Sequence, residues 1–418
     1  MGSMSHNARV LCLSGDQDIK HEMKLVNAED AGIAHMLPKA KHYLVKLEHI
    51  RGPVVHILKE TMLSNGGDAT VNGDVIVAKV THSDVILMGT RKQLNRVVKA
   101  LPEQAFGCEK IASQIAAAIR NYDSTPGIPD ARSHLDPRVP VIFDRIGVRT
   151  LVMGILNVTD DSFTDGGRFA DVGAAIRHGM DMVRDGADII DVGGESTRPG
   201  ANFVSAEEEI DRVVPVIREL SQEVDAAISI DTHKATVAEA ALDAGASIVN
   251  DISAGTLDAR MPALVAKRKC PAILMHIKGT VGDMRENPVY ADLMGEITGF
   301  LRDRLDAFVS AGADERLLMV DPGFGFGKTV HHNLEILRRL REIKSLGRPI
   351  LIGTSRKSTI GKVLGDLPPD ERIEGTAATV AISIANGADI VRVHDVKEMA
   401  RVARMTDAVV RQGPASKA

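Results

Sequence analysis

Tryptophan is absent from this 418-residue sequence, and three tyrosines and nine phenylalanines are all that keep its aromatic content at 3%. A core must therefore be built from aliphatic side chains, which a hydrophobic content of 44% supplies. Cysteine is as scarce. Cys12, Cys108 and Cys270 are an odd, scattered set that makes neither a disulfide framework nor a zinc site, and a reducing cytoplasm is the expected compartment. A basic excess is also lacking. The formal charge of −5, with no basic stripe, argues against a nucleic-acid partner. No apolar run approaches the length that spans a bilayer, and the first residues lack the charged and apolar regions of a signal peptide, so no membrane association is expected.

The length exceeds what one ordinary domain uses. Pro126, Gly127, Pro129, Pro137 and Pro140 fall between Tyr122 and Pro140, which reads as a linker over 122–140. Ahead of it, residues 4–121 form a small mixed region. Asp84 to Gly89 reads as a buried strand, Leu94, Val97, Val98 and Leu101 as one helix face, and Ile111, Ile115 and Ile119 as another. Asn65-Gly66-Gly67-Asp68 reads as a turn. This region is expected to be an α/β accessory domain without chemistry of its own.

Beyond the linker, over 141–412, short β-branched runs alternate with amphipathic stretches. The runs are LVMGILNV (151–158), DIIDVG (188–193), AISID (227–231), SIVND (247–251), PAILMH (271–276), LLMVD (317–321), PILIGTS (349–355) and DIVRVHDV (389–396). Ile210, Val213, Val214 and Ile217 mark one helical stripe between them. Eight such units predict parallel βαβ connections closing into a (β/α)8 TIM barrel of about 250 residues. An open doubly wound sheet fits less well, because no glycine-rich phosphate fingerprint follows the first run.

A barrel of this kind places its chemistry at the C-terminal ends of the strands. Those ends carry Asn157, Asp231, Asn250, Asp251, His276, Lys278, Asp321, Arg392, His394 and Asp395, with Gly193 to Arg198 and Ser355 to Ser358 in the loops. Any one carboxylate there could simply cap a helix, but eight ends converge on one mouth. Asp231, Asn250 and Asp321 suit a flat heterocycle with an amidine-like edge, because a carboxylate accepts two parallel N–H bonds. Arg198, Arg392 and His394 suit phosphate oxygens. Lys357 could donate to a ring atom, and Asn157 offers the neutral oxygen that hydrated Mg²⁺ accepts when phosphates complete its shell. Gly353 to Ser358 precedes a helical stretch whose start would attract an anion. DPGFGFGK (321–328) lacks the context of a phosphate loop and reads as a tight turn carrying Asp321 and Phe326.

The segments GILNVTDDSFTDGGRF (154–169), GADIIDVGGESTRPGA (186–201), ISIDTHK (228–234), IVNDISAG (248–255), MHIKGT (275–280), DPGFGFGKT (321–329), GTSRKSTIG (353–361) and RVHDV (392–396) together resemble the signature blocks of dihydropteroate synthases. The resemblance implies condensation of 6-hydroxymethyl-7,8-dihydropterin pyrophosphate with para-aminobenzoate, releasing pyrophosphate. By position it implies a pterin site of Asp231, Asn250, Asp321 and Lys357. Asn157, Arg392 and His394 would hold the pyrophosphate, with Mg²⁺ on Asn157. Asp165 and Arg198 would lie on two closing loops, Phe163, Phe326 and Ser358 around para-aminobenzoate, and Thr197 and Gly353 among the other substrate-binding residues. It further implies a homodimer. The chain departs from the pattern at Asp160, where the family usually has proline, which frees a backbone angle and adds a negative charge in the first loop. Two other readings stay open on the residues alone: a pterin-binding methyltransferase on the same barrel, and a non-catalytic pterin-binding protein.

Overall fold

Each of the eight apolar runs becomes a strand in the computed structural model, which describes residues 6–13, 15–124, 135–158, 168–195, 204–279 and 288–411. The chain divides into two units, Met1–Arg120 and Asn121–Ala418.

In the first unit, strands β1 (His42–Arg51), β2 (Asp68–Val71) and β3 (His82–Thr90) form an antiparallel sheet in the order β1-β3-β2. Alternation decides which face is covered. Tyr43, Val45, Ala69, Val85 and Leu87 are buried while Leu44 faces outward. Helices Gly52–Ser64 and Arg91–Ala100 pack on the sheet with Val54, Val55, Leu58, Met62, Leu94 and Val97. Thr90 and Gln93 form a reciprocal capping box that starts the second of these helices. The strand expected at Asp84 to Gly89 is β3, and the two helical faces expected after it are helices Arg91–Ala100 and Cys108–Asp123; β1 and β2 carry no expectation. Asn65-Gly66-Gly67 is a turn entering β2, held by Gln93 Nε2 donating to the Gly66 carbonyl at 2.6 Å.

In the second unit the strands are β4 (Leu151–Asn157), β5 (Ile189–Gly193), β6 (Ala227–Asp231), β7 (Ile248–Asp251), β8 (Ala272–Met275), β9 (Leu318–Asp321), β10 (Leu351–Ile352) and β11 (Ile390–Val393). All neighbours pair in parallel, in the order β10-β11-β4-β5-β6-β7-β8-β9. A single bridge between Val320 and Ile350 joins the two ends and closes the barrel. The expected (β/α)8 barrel is therefore the fold. Outside the strands, Val213, Ile217, Leu301, Phe308, Ile336 and Met399 pack the surrounding helices onto the barrel wall.

The bottom of the barrel is stoppered by a helix, Arg138–Arg145. Its Val139, Ile142 and Phe143 pack with Leu151, Met153, Ile189, Ile248, Met319 and Ile390 at the barrel's inner base. This helix begins inside the stretch expected as linker, and helix Cys108–Asp123 runs past that stretch's first residues. Pro137 at the N-cap and Pro140 in the first turn occupy the positions where a helix tolerates proline, which is why proline density alone misplaced the boundary.

Candidate active site

Strand register sets four residues level across the top of the barrel. Asn157 pairs with Gly193, Gly193 with Asp231, and Asp231 with Asn250. A Cβ on Gly193 would lie 3.7 Å from both Asn157 Oδ1 and Asp231 Oδ2, so the glycine keeps open the space that these two oxygens share. Across the mouth Asp321 ends β9, level with Met275, and its Oδ1 accepts the Gly323 N–H at 2.7 Å.

Arg392, from β11, reaches past β4 to β5 and β6. Its Nε donates to Asp191 Oδ2 at 2.6 Å, and one terminal nitrogen donates to Asp231 Oδ2 at 2.6 Å. Asp191 is fully buried and also accepts Asn250 Nδ2 at 3.0 Å, which turns the Asn250 carbonyl away from it. One guanidinium thus bridges two carboxylates, and removing Arg392 would leave both buried acids without their cation. Among the described residues two of the five guanidinium N–H groups are used in these bonds. Burial pushes the Asp231 carboxyl up to about 7, with Asp191 adding to the rise and Arg392 opposing it. Burial likewise pushes Asp321 up to about 6, against the pull of Gly323, Lys328, Lys357 and Arg392.

His394 sits beside Ser355. Ser355 Oγ accepts the His394 backbone N–H at 3.1 Å and lies 2.9 Å from Nδ1. Burial, with the charges of Arg392, Arg356 and Lys357, lowers His394 to about 4. The ring is therefore neutral at physiological pH. A serine hydroxyl donating to Nδ1 leaves the proton on Nε2, as a donor for an anionic oxygen. Arg356, beside Lys357 in the same loop, is not free to serve as a second cation of the site: it pairs with Asp395 through Nε at 3.0 Å and a second nitrogen. Lys278 is held by Glu296 at 2.6 Å. Asp251 is turned into its own loop, accepting from Ser253 and Gly255. Lys357 places its ammonium 4.2 Å from the centre of the buried Phe326 ring, joining an expected pterin residue to an expected arylamine residue. Gly353 lies against the Arg392 side chain, and Ser358 opens the exposed start of helix Ser358–Val363.

The family model described as pterin binding enzyme matches residues 153–394. The dihydropteroate synthase of Bacillus subtilis is 49% identical over 265 residues, covering 63% of this chain and 90% of that protein. A crystal structure of dihydropteroate synthase from Clostridium difficile in the presence of pteroic acid is 50% identical, with a TM-score of 0.61 over 64% of this chain and 99% of that one. The chain belongs to the dihydropteroate synthase family. A probable bifunctional folylpolyglutamate synthase/dihydropteroate synthase of Haloferax volcanii is 40% identical over 389 residues. It covers 91% of this chain and 45% of its own length, so its match runs into the N-terminal unit. A Xanthomonas albilineans dihydropteroate synthase in complex with 7,8-dihydropteroate is 38% identical with a TM-score of 0.58, over 64% of this chain and 96% of that one.

Of the dihydropteroate synthase residues expected from sequence, the structure gathers Asn157, Asp231, Asn250, Asp321, Phe326, Gly353, Lys357, Ser358, Arg392 and His394 at strand ends or in the loops that follow them, on one end of the barrel. Asp160, Phe163, Asp165, Thr197 and Arg198 lie outside the described residues. Asp191 carries no expectation from the sequence, and Ser355 and Lys328 are expected only as members of their loops. Asp191 had a legible signal, an acid inside an apolar strand two residues before Gly193 and so on the same side. Ser355 and Lys328 acquire partners only through the fold. No group of three or more His, Cys, Asp or Glu able to hold a metal is found among the described residues. Asn157 alone, beside the carboxylate of Asp231, fits a hydrated Mg²⁺ whose other ligands come from phosphate.

Proposed function

We propose that the chain condenses 6-hydroxymethyl-7,8-dihydropterin pyrophosphate with para-aminobenzoate to give 7,8-dihydropteroate and pyrophosphate. The observation that carries this reading is the level row Asn157, Gly193, Asp231 and Asn250 facing Asp321 across one mouth. Carboxylates there accept the N–H edge of the pterin, and Lys357 donates to a ring heteroatom.

The C–O bond of the exocyclic methylene breaks heterolytically, and its electron pair leaves with pyrophosphate. The electron-rich ring supports the positive charge left on the methylene, which favours a dissociative path. Remaining N–H groups of Arg392 and the Nε2–H of neutral His394 stabilise the departing oxygens. Mg²⁺ bound on the pyrophosphate and Asn157 would supply further charge neutralisation. The arylamine lone pair then forms the C–N bond, and the nitrogen's surplus proton passes to the released pyrophosphate or to solvent. Asp165 and Arg198 belong, by the family pattern, to the segments that exclude water.

A homodimer is part of the proposal. Its support is the exposed Ile382, Met405 and Val409 on helices Ile373–Ala385 and Val396–Val410, adjacent in the fold. A cytoplasmic setting rests on three unpaired cysteines. The deciding experiment is an assay of pyrophosphate release with each substrate alone and with both. Release that does not depend on para-aminobenzoate would overturn the reading.

A further inference from the structure

The turn Asp321–Lys328 ends in a lysine that the reaction above does not use. Lys328 Nζ has three acceptors around it: His276 Nδ1 at 2.9 Å, the Phe326 carbonyl at 2.9 Å and the His276 carbonyl at 3.4 Å. An ammonium has three donors, so this arrangement saturates it. His276 is almost fully buried and edge-on to Phe300 at 5.0 Å. It must be neutral to accept at Nδ1, and burial together with Lys328 holds it far below its ordinary value. Glycines make the turn fit. Gly323 and Gly327 have positive φ values of 69° and 63°, and a Cβ on either would overlap the carbonyl of His276 or Lys278. Tyr290 closes the far side by donating to the Gly327 carbonyl at 2.8 Å.

We propose that Lys328 is a positioning residue of the pterin site: it pins the Asp321–Lys328 turn to the end of β8 and, with Nζ 3.3 Å from the Cβ position of Gly323, whose N–H binds Asp321 Oδ1 at 2.7 Å, sets its positive charge beside the carboxyl that meets the ligand. Among the described residues, the charged or titratable groups facing this pair are His276 and Lys278 from β8 and its loop, Tyr290 ahead of helix Leu293–Ser310, His332 from helix Val330–Arg339, Lys357 from the loop after β10, and Arg392 from β11. Burial, Lys278 and Lys357 lower Lys328 to about 7, and Asp321 opposes that. Below neutrality, where Asp321 titrates, the lysine is thus charged. The inference rests on the reading that Asp321 binds the pterin.

The test measures the affinity of a bare pterin by calorimetry from pH 5 to 8 in the full chain, its Lys328→Gln variant and its Lys328→Arg variant. Titration of the ligand itself is common to all three. The expected result is a loss of affinity at low pH whose midpoint moves up by about one pH unit in Lys328→Gln and stays near the parent's in Lys328→Arg. A residue with only a packing role would lower affinity equally at every pH. A parallel fall with an unmoved midpoint, or no change at all, overturns the proposal. If Lys328→Gln does not fold, ¹⁵N-lysine spectra of the parent and of Asp321→Asn decide. One Nζ titrating near neutrality should move to lower pH when the carboxylate is removed, and an unaltered titration overturns the coupling. Failure of the parent to bind pterin at any pH would instead sink the functional reading itself.

Discussion

At the scale of single residues the site is a set of charges that hold each other. Asp191 accepts from both Arg392 and Asn250, so Asp191→Ala should cost about 1–3 kcal/mol of stability, because it leaves the Asn250 amide and Arg392 Nε without their buried acceptor while Asp231 still pairs the guanidinium. Urea unfolding checks this. Ser355→Ala should act differently. Without the hydroxyl nothing fixes which His394 nitrogen carries the proton, so affinity for the pyrophosphate ester should fall about tenfold or more while bare pterin binds nearly as before. Equal losses for the two ligands would show that Ser355 does not act through the phosphates. His394 also gives a pH signature. The folded ring takes up its proton only near pH 4, whereas the unfolded ring does so near the ordinary 6.5. The unfolded state therefore binds more protons between these values, so stability is undiminished above 6.5 and declines as pH falls toward 4. His394→Gln should make that decline shallower, read as unfolding midpoints across the range.

At the scale of elements, sequence and structure part company for identifiable reasons. The barrel strands were legible because each is buried on both faces and reads as an unbroken apolar run. β1, HYLVKLEHIR, alternates exposed and buried residues at its start and covers one face only, with an exposed Leu44 that breaks the polar–apolar alternation a sequence would show. The polar ends of the barrel strands were legible as a list, but pairing was not. Arg392 and Asp191 are far apart in sequence and meet only because β11 and β5 flank β4 in the barrel wall. The Asp321–Lys328 turn gives a test at this scale. Gly323→Ala meets both a positive φ and the His276 carbonyl, so it should destabilise by about 1–3 kcal/mol and weaken pterin binding, where an alanine in an ordinary loop would be neutral. Thermal unfolding alongside calorimetry separates the two effects.

At the scale of the whole molecule, the stopper helix fixes where the catalytic unit starts. Arg138 pairs with Asp136 and donates to the Ser221 and Gly245 carbonyls, and Val139 is buried among the barrel's basal residues. A fragment of residues 135–418 should fold and turn over both substrates. One beginning at Val141 should lose about 2 kcal/mol or more with the burial of Val139 alone. Chemical denaturation of the two fragments distinguishes these outcomes. Turnover by the longer fragment would also establish that the first unit, which the Haloferax volcanii relative's match reaches, is dispensable for the chemistry.

The barrel wall is not equally strong all the way round. Between β9 and the chain entering β10 it is held by the Val320–Ile350 bridge, with Val320 N–H donating to the Pro349 carbonyl at 3.0 Å. β10 itself is two residues long. Opening there breaks few hydrogen bonds, so the Val320 amide should exchange its proton for deuterium ahead of amides in β5 and β6, which pair over five residues. Asp321 and Lys357 flank that gap in the staves. A ligand that grips both would act as a hoop, and the same amide should then exchange more slowly than any change in β5 or β6 would account for.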